Sequence, residues 1–201
     1  MEINFNKIKV IIGLGNDLKE LENTYHNIGQ LAIKYLNKKF NNQNDLEKEE
    51  KNFKYSQIKI NNNFFYLIYP KTYMNESGLA FKTIIKKFNV KPENILIIHD
   101  DSDLNIGNFK YVFNRGSAGH HGIESIFNIL KSKNFWRLRI GIRPKNKPQI
   151  KVKAEEFVLK KIKTDDKKIF YSIFDELIKK LIENTRPSAS GFISENGKSI
   201  D

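Results

Sequence analysis

The run Ile95-Leu96-Ile97-Ile98-His99 is apolar at every position but its last. A strand with one wet face alternates apolar and polar residues, so an unbroken β-branched run fits a strand inside a sheet covered on both faces. Residues 8–13 (IKVIIG) read as a second strand of this kind, ending in the turn Gly13-Leu14-Gly15-Asn16. Helical spacing runs between such strands. Residues 26–40 place Ile28, Leu31, Ala32 and Leu36 on one face with lysines at the end, where the helix dipole favours them. Residues 79–88 and a segment ending near Leu130 read as further helices, and 167–184 set Ile169, Ile173, Leu177 and Leu181 four apart. FKYSQIKI and FFYLIY flank Asn61-Asn62-Asn63 as a β-hairpin, and strands are predicted over 108–113 and 136–143, the latter stopped by Pro144. This alternation predicts an α/β protein, a single-domain α/β/α sandwich around a twisted mixed β-sheet. The domain is expected over 1–184. A basic loop is expected over 145–153, and a flexible C-terminal tail rich in Ser, Gly and Pro over 185–201.

Composition narrows the chemistry. No cysteine occurs in the 201 residues, which excludes disulfides, thiolate metal sites and cysteine nucleophiles. No apolar run approaches the ~18 residues of a membrane span, and the start has no apolar leader core, so a cytoplasmic location is expected. The net charge of +12 suits a polyanionic partner such as nucleic acid. Only five of the 35 basic residues are arginine, a lysine bias that AT-rich codon use also produces, so charge alone does not choose.

Three loops following apolar strands, 13–26, 69–78 and 99–122, hold most of the unusual polar residues and all four histidines. In an open α/β sheet such loops converge on one crevice. The glycines at 13 and 15 suggest a dinucleotide turn, but Leu18 stands where the third glycine belongs. They serve as a strand-to-loop turn, and the Asn16 amide after them offers both donors and an acceptor. His26 opens a helix, where a lone histidine ordinarily caps or faces water. Asp100, at the end of the apolar strand, changes that: a carboxylate on one imidazole nitrogen fixes the tautomer and raises basicity at the other. No serine lies in a nucleophile-elbow context, so water is the expected nucleophile. A rival reading places a metal among His99, Asp100, Asp101, Asp103, His120 and His121, although strand neighbours point to opposite faces. Asp101 and Asp103 otherwise read as a solvated acidic turn. NESG (75–78) opens a helix that Thr72, Asn75 or Ser77 would cap. Arg137, Arg139 and Arg143 share one strand face and read as an exposed basic stripe near phosphate.

Taken in order, IIGLGN, HNIG, PKTYMNESG, HDDSDLNIG, GSAGHHGIESI and RLRIGIRP resemble the bacterial peptidyl-tRNA hydrolase family over nearly the whole chain. The resemblance implies a cofactor-free and metal-free esterase acting on peptidyl-tRNA; nothing in the sequence suggests an obligate dimer, and a monomer is expected. The resemblance assigns His26 as general base and Asp100 as its support. Asn16 and Asn75 would line the peptide and ribose end of the cleft, Tyr73 would be the aromatic beside Asn75, and Arg139 would grip the tRNA end phosphate. His121 falls where the family's GHNG has the asparagine that contacts the ribose. Asp17-Leu18 replaces Pro-Gly, Leu21 a tyrosine, Tyr25 an arginine and Tyr69 a lysine. These departures keep open a second reading, an RNA-binding relative of the same fold that has lost turnover.

Overall fold

The computed structural model describes residues 2–43, 46–144 and 153–186. The tail from 187 onward, and the basic loop over 145–152, lie outside the described residues. In chain order the elements are β1 (Val10–Gly13), α1 (Ile28–Asn41), β2 (Lys48–Glu49), β3 (Phe53–Ile60), β4 (Asn63–Pro70), α2 (Ser77–Phe88), β5 (Ile95–Asn105), β6 (Phe109–Phe113), α3 (His121–Leu130), β7 (Trp136–Arg143) and α4 (Thr164–Asn184). One mixed sheet takes the order β2-β3-β4-β1-β5-β7-β6. Its four central strands, β4, β1, β5 and β7, are parallel, and antiparallel strands finish both edges.

The apolar runs are explained by two cores. Val10, Ile12, Ile95 and Ile97 face a cluster with Phe81 and Ile84 of α2 and Ile123 and Ile126 of α3. Ile11, Leu96 and Ile98 face the opposite cluster, with Ile28, Ile33 and Leu36 of α1 and Phe170, Phe174 and Leu177 of α4. Every residue of such a strand is buried, so no polar position survives. The abundant asparagine has a structural use too. Among the described residues, five of the seven non-glycine positions with positive φ are asparagine (Asn23, Asn42, Asn61, Asn89 and Asn114). Asn42 and Asn89 end α1 and α2 in the left-handed conformation, where a short polar side chain is tolerated.

Two local expectations are corrected. The acidic stretch after Ile98 is not a turn: β5 runs on to Asn105, with Asp100 paired to Ile140 and Asp101 to Gly141 before the register shifts. Gly141 permits this, since a Cβ there would lie 2.2 Å from the Asn105 carbonyl oxygen. Nor do Thr72, Asn75 or Ser77 cap α2 with their side chains. The Ser77 hydroxyl donates to the Met74 carbonyl, and Ser125 of α3 accepts the Gly78 N–H instead.

α1 sits so close to the sheet that a Cβ on Gly29 would stand 2.3 Å from the Ile98 carbonyl oxygen and 2.5 Å from the Leu14 nitrogen. Both contacts are backbone and cannot yield without moving the helix. Gly29→Ala is expected to lower stability in urea unfolding by about 3 kcal/mol. Gly116→Ala, where no atom lies within 4 Å of the added carbon, is expected to change it by less than about 0.5 kcal/mol.

Candidate active site

The loops after β1 and β6 meet the middle of β5 at the carboxyl end of the parallel strands, with the loop after β4 joined to the first of them, beside the point where the chain switches from β4 across β1 to β5. His26 lies in a single 3-10 turn, Tyr25–Asn27, that leads into α1. Its backbone is fixed from outside: Tyr25 N–H donates to the Lys160 carbonyl (3.1 Å), His26 N–H to Val158 (2.8 Å), and Ile162 N–H to Asn23 (2.8 Å). The Tyr25 hydroxyl donates to Asp166 on α4 at 2.5 Å. Burial, followed by that bond, pushes the phenol up to about 12.

Asp100 is buried, with its carboxylate against two imidazoles. His26 Nδ1 lies 2.9 and 3.0 Å from its two oxygens, and His120 Nε2 lies 2.9 Å from Oδ1. The proton positions follow from the partners. An ionised carboxylate only accepts, so both facing nitrogens carry hydrogens. The other nitrogen of His120, Nδ1, accepts the Gly122 N–H at 3.1 Å and the Ile123 N–H at 3.4 Å, making His120 the N-cap of α3. Neutral His120 is therefore the Nε2–H tautomer and neutral His26 the Nδ1–H tautomer, which leaves the His26 Nε2 lone pair unused.

Burial alone would raise the Asp100 carboxyl, but the two histidines outweigh it and hold it well below the usual carboxylate range. Burial likewise pushes His26 down. The charge and hydrogen bond of Asp100 prevail, and its imidazole is raised. His99 differs. Its Nδ1–H donates to the Asp100 carbonyl at 2.6 Å, and its fully buried ring is held well below the usual histidine value by burial, then by His120 and Arg137.

His26, Asp100 and His120 bring one ligand atom each within 4.8 Å of one another, a spacing that a metal ion could occupy. The protons fit a relay better. His120 Nδ1 is engaged by two backbone donors, so binding a cation through Nε2 would require an imidazolate or the loss of the α3 cap. His99, Asp103 and His121 do not join this group.

A cleft of about 220 Å³ is lined by His26, Asp100, His120, His121 and Arg139, among others. Asn16, Tyr73 and Asn75 are not in its lining. Asn16 is buried, its Oδ1 accepting the Met74 N–H at 2.8 Å, which leaves its amide Nδ2 as the group to offer a ligand. Tyr73 and Asn75 are exposed on the β4–α2 loop. His121 is also exposed, with Nδ1 3.7 Å from Glu124.

The arginine stripe is a correction. Arg137 is buried at 1% exposure and donates to backbone carbonyls. Arg139 pairs through Nε with buried Asp101 at 2.5 Å. Arg143 donates to the Ser102 carbonyl and lies 3.9 Å from Asp103. Thus Asp101 is not solvated, and only Arg139 and Arg143 are partly open. Extension of β5 alongside β7 supplies the partners of Arg139 and Arg143 that a turn would have lacked.

A sequence profile described as "Peptidyl-tRNA hydrolase" matches residues 10–194. The chain belongs to the peptidyl-tRNA hydrolase family. A peptidyl-tRNA hydrolase from Mycoplasma capricolum is 42% identical over 168 residues, covering 84% of this chain and 88% of its own length. One from Prochlorococcus marinus (strain MIT 9215) is 36% identical over 173 residues, covering 85% and 86%. The crystal structure of peptidyl-tRNA hydrolase from Acinetobacter baumannii superposes with a TM-score of 0.77 at 31% identity, covering 89% of this chain and 90% of that one.

Two polar residues of this peptidyl-tRNA hydrolase family site escape a reading of single residues. Asn27 Oδ1 accepts the Asn16 N–H (2.9 Å), and its Nδ2 donates to the Asn16 carbonyl (2.9 Å) and to Gln30 Oε1 (3.0 Å). Gln30 in turn donates to the Pro70 carbonyl at 3.0 Å. One buried amide network thus ties the loops after β1 and β4 to the start of α1. The signal was Asn27 and Gln30, two amides three residues apart at a helix start whose other inward positions are apolar. Asn27→Ala strips both partners from the Asn16 backbone. It is expected to lower stability by about 1–3 kcal/mol in chemical denaturation.

Proposed function

We propose that the protein hydrolyses the ester between a nascent peptide, or an N-blocked aminoacyl group, and the 3′ ribose of tRNA, recycling peptidyl-tRNA in the cytoplasm as a monomer without a metal. The observation that carries this reading is the His26–Asp100–His120 arrangement at the mouth of the cleft, which leaves one basic nitrogen, His26 Nε2, unused. His26 is only 13% exposed at its side chain, so the base is screened yet reachable by water. In this reading His26 Nε2 takes a proton from water as the water attacks the ester carbonyl. Asp100 stabilises the imidazolium that forms, through the hydrogen bond to Nδ1.

The attack creates a tetrahedral oxyanion. Asn16, with Oδ1 engaged by Met74, turns its Nδ2–H toward ligand rather than its carbonyl, and Asn75 is a second amide on the adjoining loop. An amide donor at the oxyanion is worth about 100- to 1,000-fold. The imidazolium then returns its proton to the ribose oxygen as the ester C–O bond breaks. Tyr73, exposed beside Asn75, offers a stacking face to the peptide or the terminal base. Arg139, its Nε engaged by Asp101, directs the rest of its guanidinium at phosphate. His121 stands beside it at the cleft rim, where it offers an imidazole N–H to the ribose in place of an amide.

His26→Ala is expected to lower release from N-acetyl-aminoacyl-tRNA by about 100- to 10,000-fold while tRNA binding stays near the parent level. Equal release by parent and variant would refute the base assignment. Salt-sensitive tRNA binding with no release by the parent would identify the non-catalytic relative instead. Asp100→Asn removes the charge that raises His26. The acid limb of kcat/KM should therefore move to lower pH, and the plateau should fall by about 100-fold or more.

A further inference from the structure

Arg137 is the bulkiest of the fully buried side chains, and no carboxylate pairs with it among the described residues. It stands on β7 opposite Ile97 of β5. Burial, then the neighbouring charge of Arg139, pushes its guanidinium down to about 10, which still leaves a cation at neutral pH. Taking such a charge out of water is costly unless its donors are used. Nη2 donates to two consecutive backbone carbonyls, Arg115 at 3.0 Å and Gly116 at 2.9 Å.

Those carbonyls begin the loop that carries His120. From Gly116 the chain passes through Ser117, whose carbonyl accepts the His120 N–H at 3.2 Å. The Ser117 hydroxyl donates to Glu124 at 3.1 Å and accepts the Gly119 N–H at 3.2 Å. Ala118 and Gly119 both have positive φ, so the turn is tight. Before His120 the loop is largely exposed, and no atom lies within 4 Å of where a Cβ would sit at Gly116 or Gly119. The loop therefore hangs on hydrogen bonds, and Arg137 supplies its anchor to the sheet. His99, edge-on to His120 at 4.6 Å, completes the wall behind the ring.

We propose that Arg137 is a positioning residue for hydrolysis: its buried guanidinium holds the 115–120 loop at the height from which His120 reaches Asp100. The inference rests on the reading of His26 as the base, because it acts through the share of the Asp100 charge that His26 receives. Without the clamp, His120 withdraws and Asp100 acts more fully on His26. The cleft also opens to water. Both changes favour the protonated imidazole. The groups facing His26 are Asp100 from β5, His120 and His121 from the loop and the start of α3, Arg139 with Asp101 across the cleft, and Glu155 from the segment that packs over the His26 turn. Of these, His120 and His121 depend on the clamped loop.

The test is Arg137→Lys in the full-length protein, with Arg137→Met beside it. Three readouts are needed: chemical denaturation, the NMR titration of His26, and the pH profile of kcat/KM on N-acetyl-aminoacyl-tRNA. The lysine variant keeps the charge, but its ammonium ends about one bond short of the position of Nη2, the single nitrogen that serves both carbonyls. It should remain folded, titrate His26 at higher pH than the parent, shift the acid limb the same way, and lose about 10- to 100-fold in kcat/KM at neutral pH. A folded lysine variant with His26 titration and acid limb unmoved would overturn the proposal, even if activity fell, because a space-filling role changes neither. If the methionine variant fails to fold, the lysine variant carries the test alone. A moved His26 titration with unchanged hydrolysis would support the clamp and overturn the base assignment, so the two failures are distinguishable.

Discussion

Asp100 is a buried carboxylate in the middle of β5, separated only by His99 from the wholly apolar run Ile95–Ile98. Buried there alone, it would take up a proton. Two imidazole N–H groups from different parts of the chain keep it ionised. Much of the site follows from meeting that requirement. The turn that carries His26 must approach from the α1 side, and the loop that carries His120 must approach from the α3 side. Each histidine presents one proton to the carboxylate, and what differs is the use of its second nitrogen. His120 gives its second nitrogen to the amides that open α3, so it is structurally committed. His26 keeps its second nitrogen uncommitted. The same carboxylate thus yields one histidine for architecture and one for chemistry.

The scaffold serves this by being stiff close to the chemistry. Gly13 and Gly29 let α1 press onto β1 and β5, fixing the depth at which the His26 turn enters. The segment at 158–162 pairs with the backbone around His26, and the Tyr25–Asp166 bond ties the same turn to α4. The Asn16–Asn27–Gln30 network does the same for the loop after β1. Asn16 consequently reaches the site with its carbonyl oxygen already engaged and only its N–H side to offer.

Much of the fold was legible in the sequence, because burial on both sheet faces leaves an uninterrupted apolar record in 10–13 and 95–98. His26 and Asp100 were legible as a pair, since a carboxylate directly following a buried apolar run needs a partner. Other features were not, for physical reasons that can be named. Asp100, Asp101 and Asp103 resemble a turn by residue type, yet pairing with β7 continues the strand through them. Polar residues in a strand are acceptable where partners exist, and those partners, His26, His120 and Arg139, are distant in sequence. Arg137 looked exposed for the same reason: the carbonyls that accept from its Nη2 belong to a loop more than twenty residues earlier. His120 read only as one member of a metal group, because the backbone donors that fix its tautomer arise when α3 forms. Local pattern records burial well. It does not record which distant backbone group satisfies a buried charge.

The opposite tautomers of two histidines on one carboxylate are the central claim, and the most direct measurement is side-chain 15N–1H correlation NMR of the four histidines above the His26 titration. The account predicts that neutral His26 carries its proton on Nδ1, with Nε2 showing the shift of an unprotonated nitrogen, and that His120 shows the reverse. A neutral His26 protonated on Nε2 would contradict it, since the nitrogen assigned to take the proton from water would already hold one.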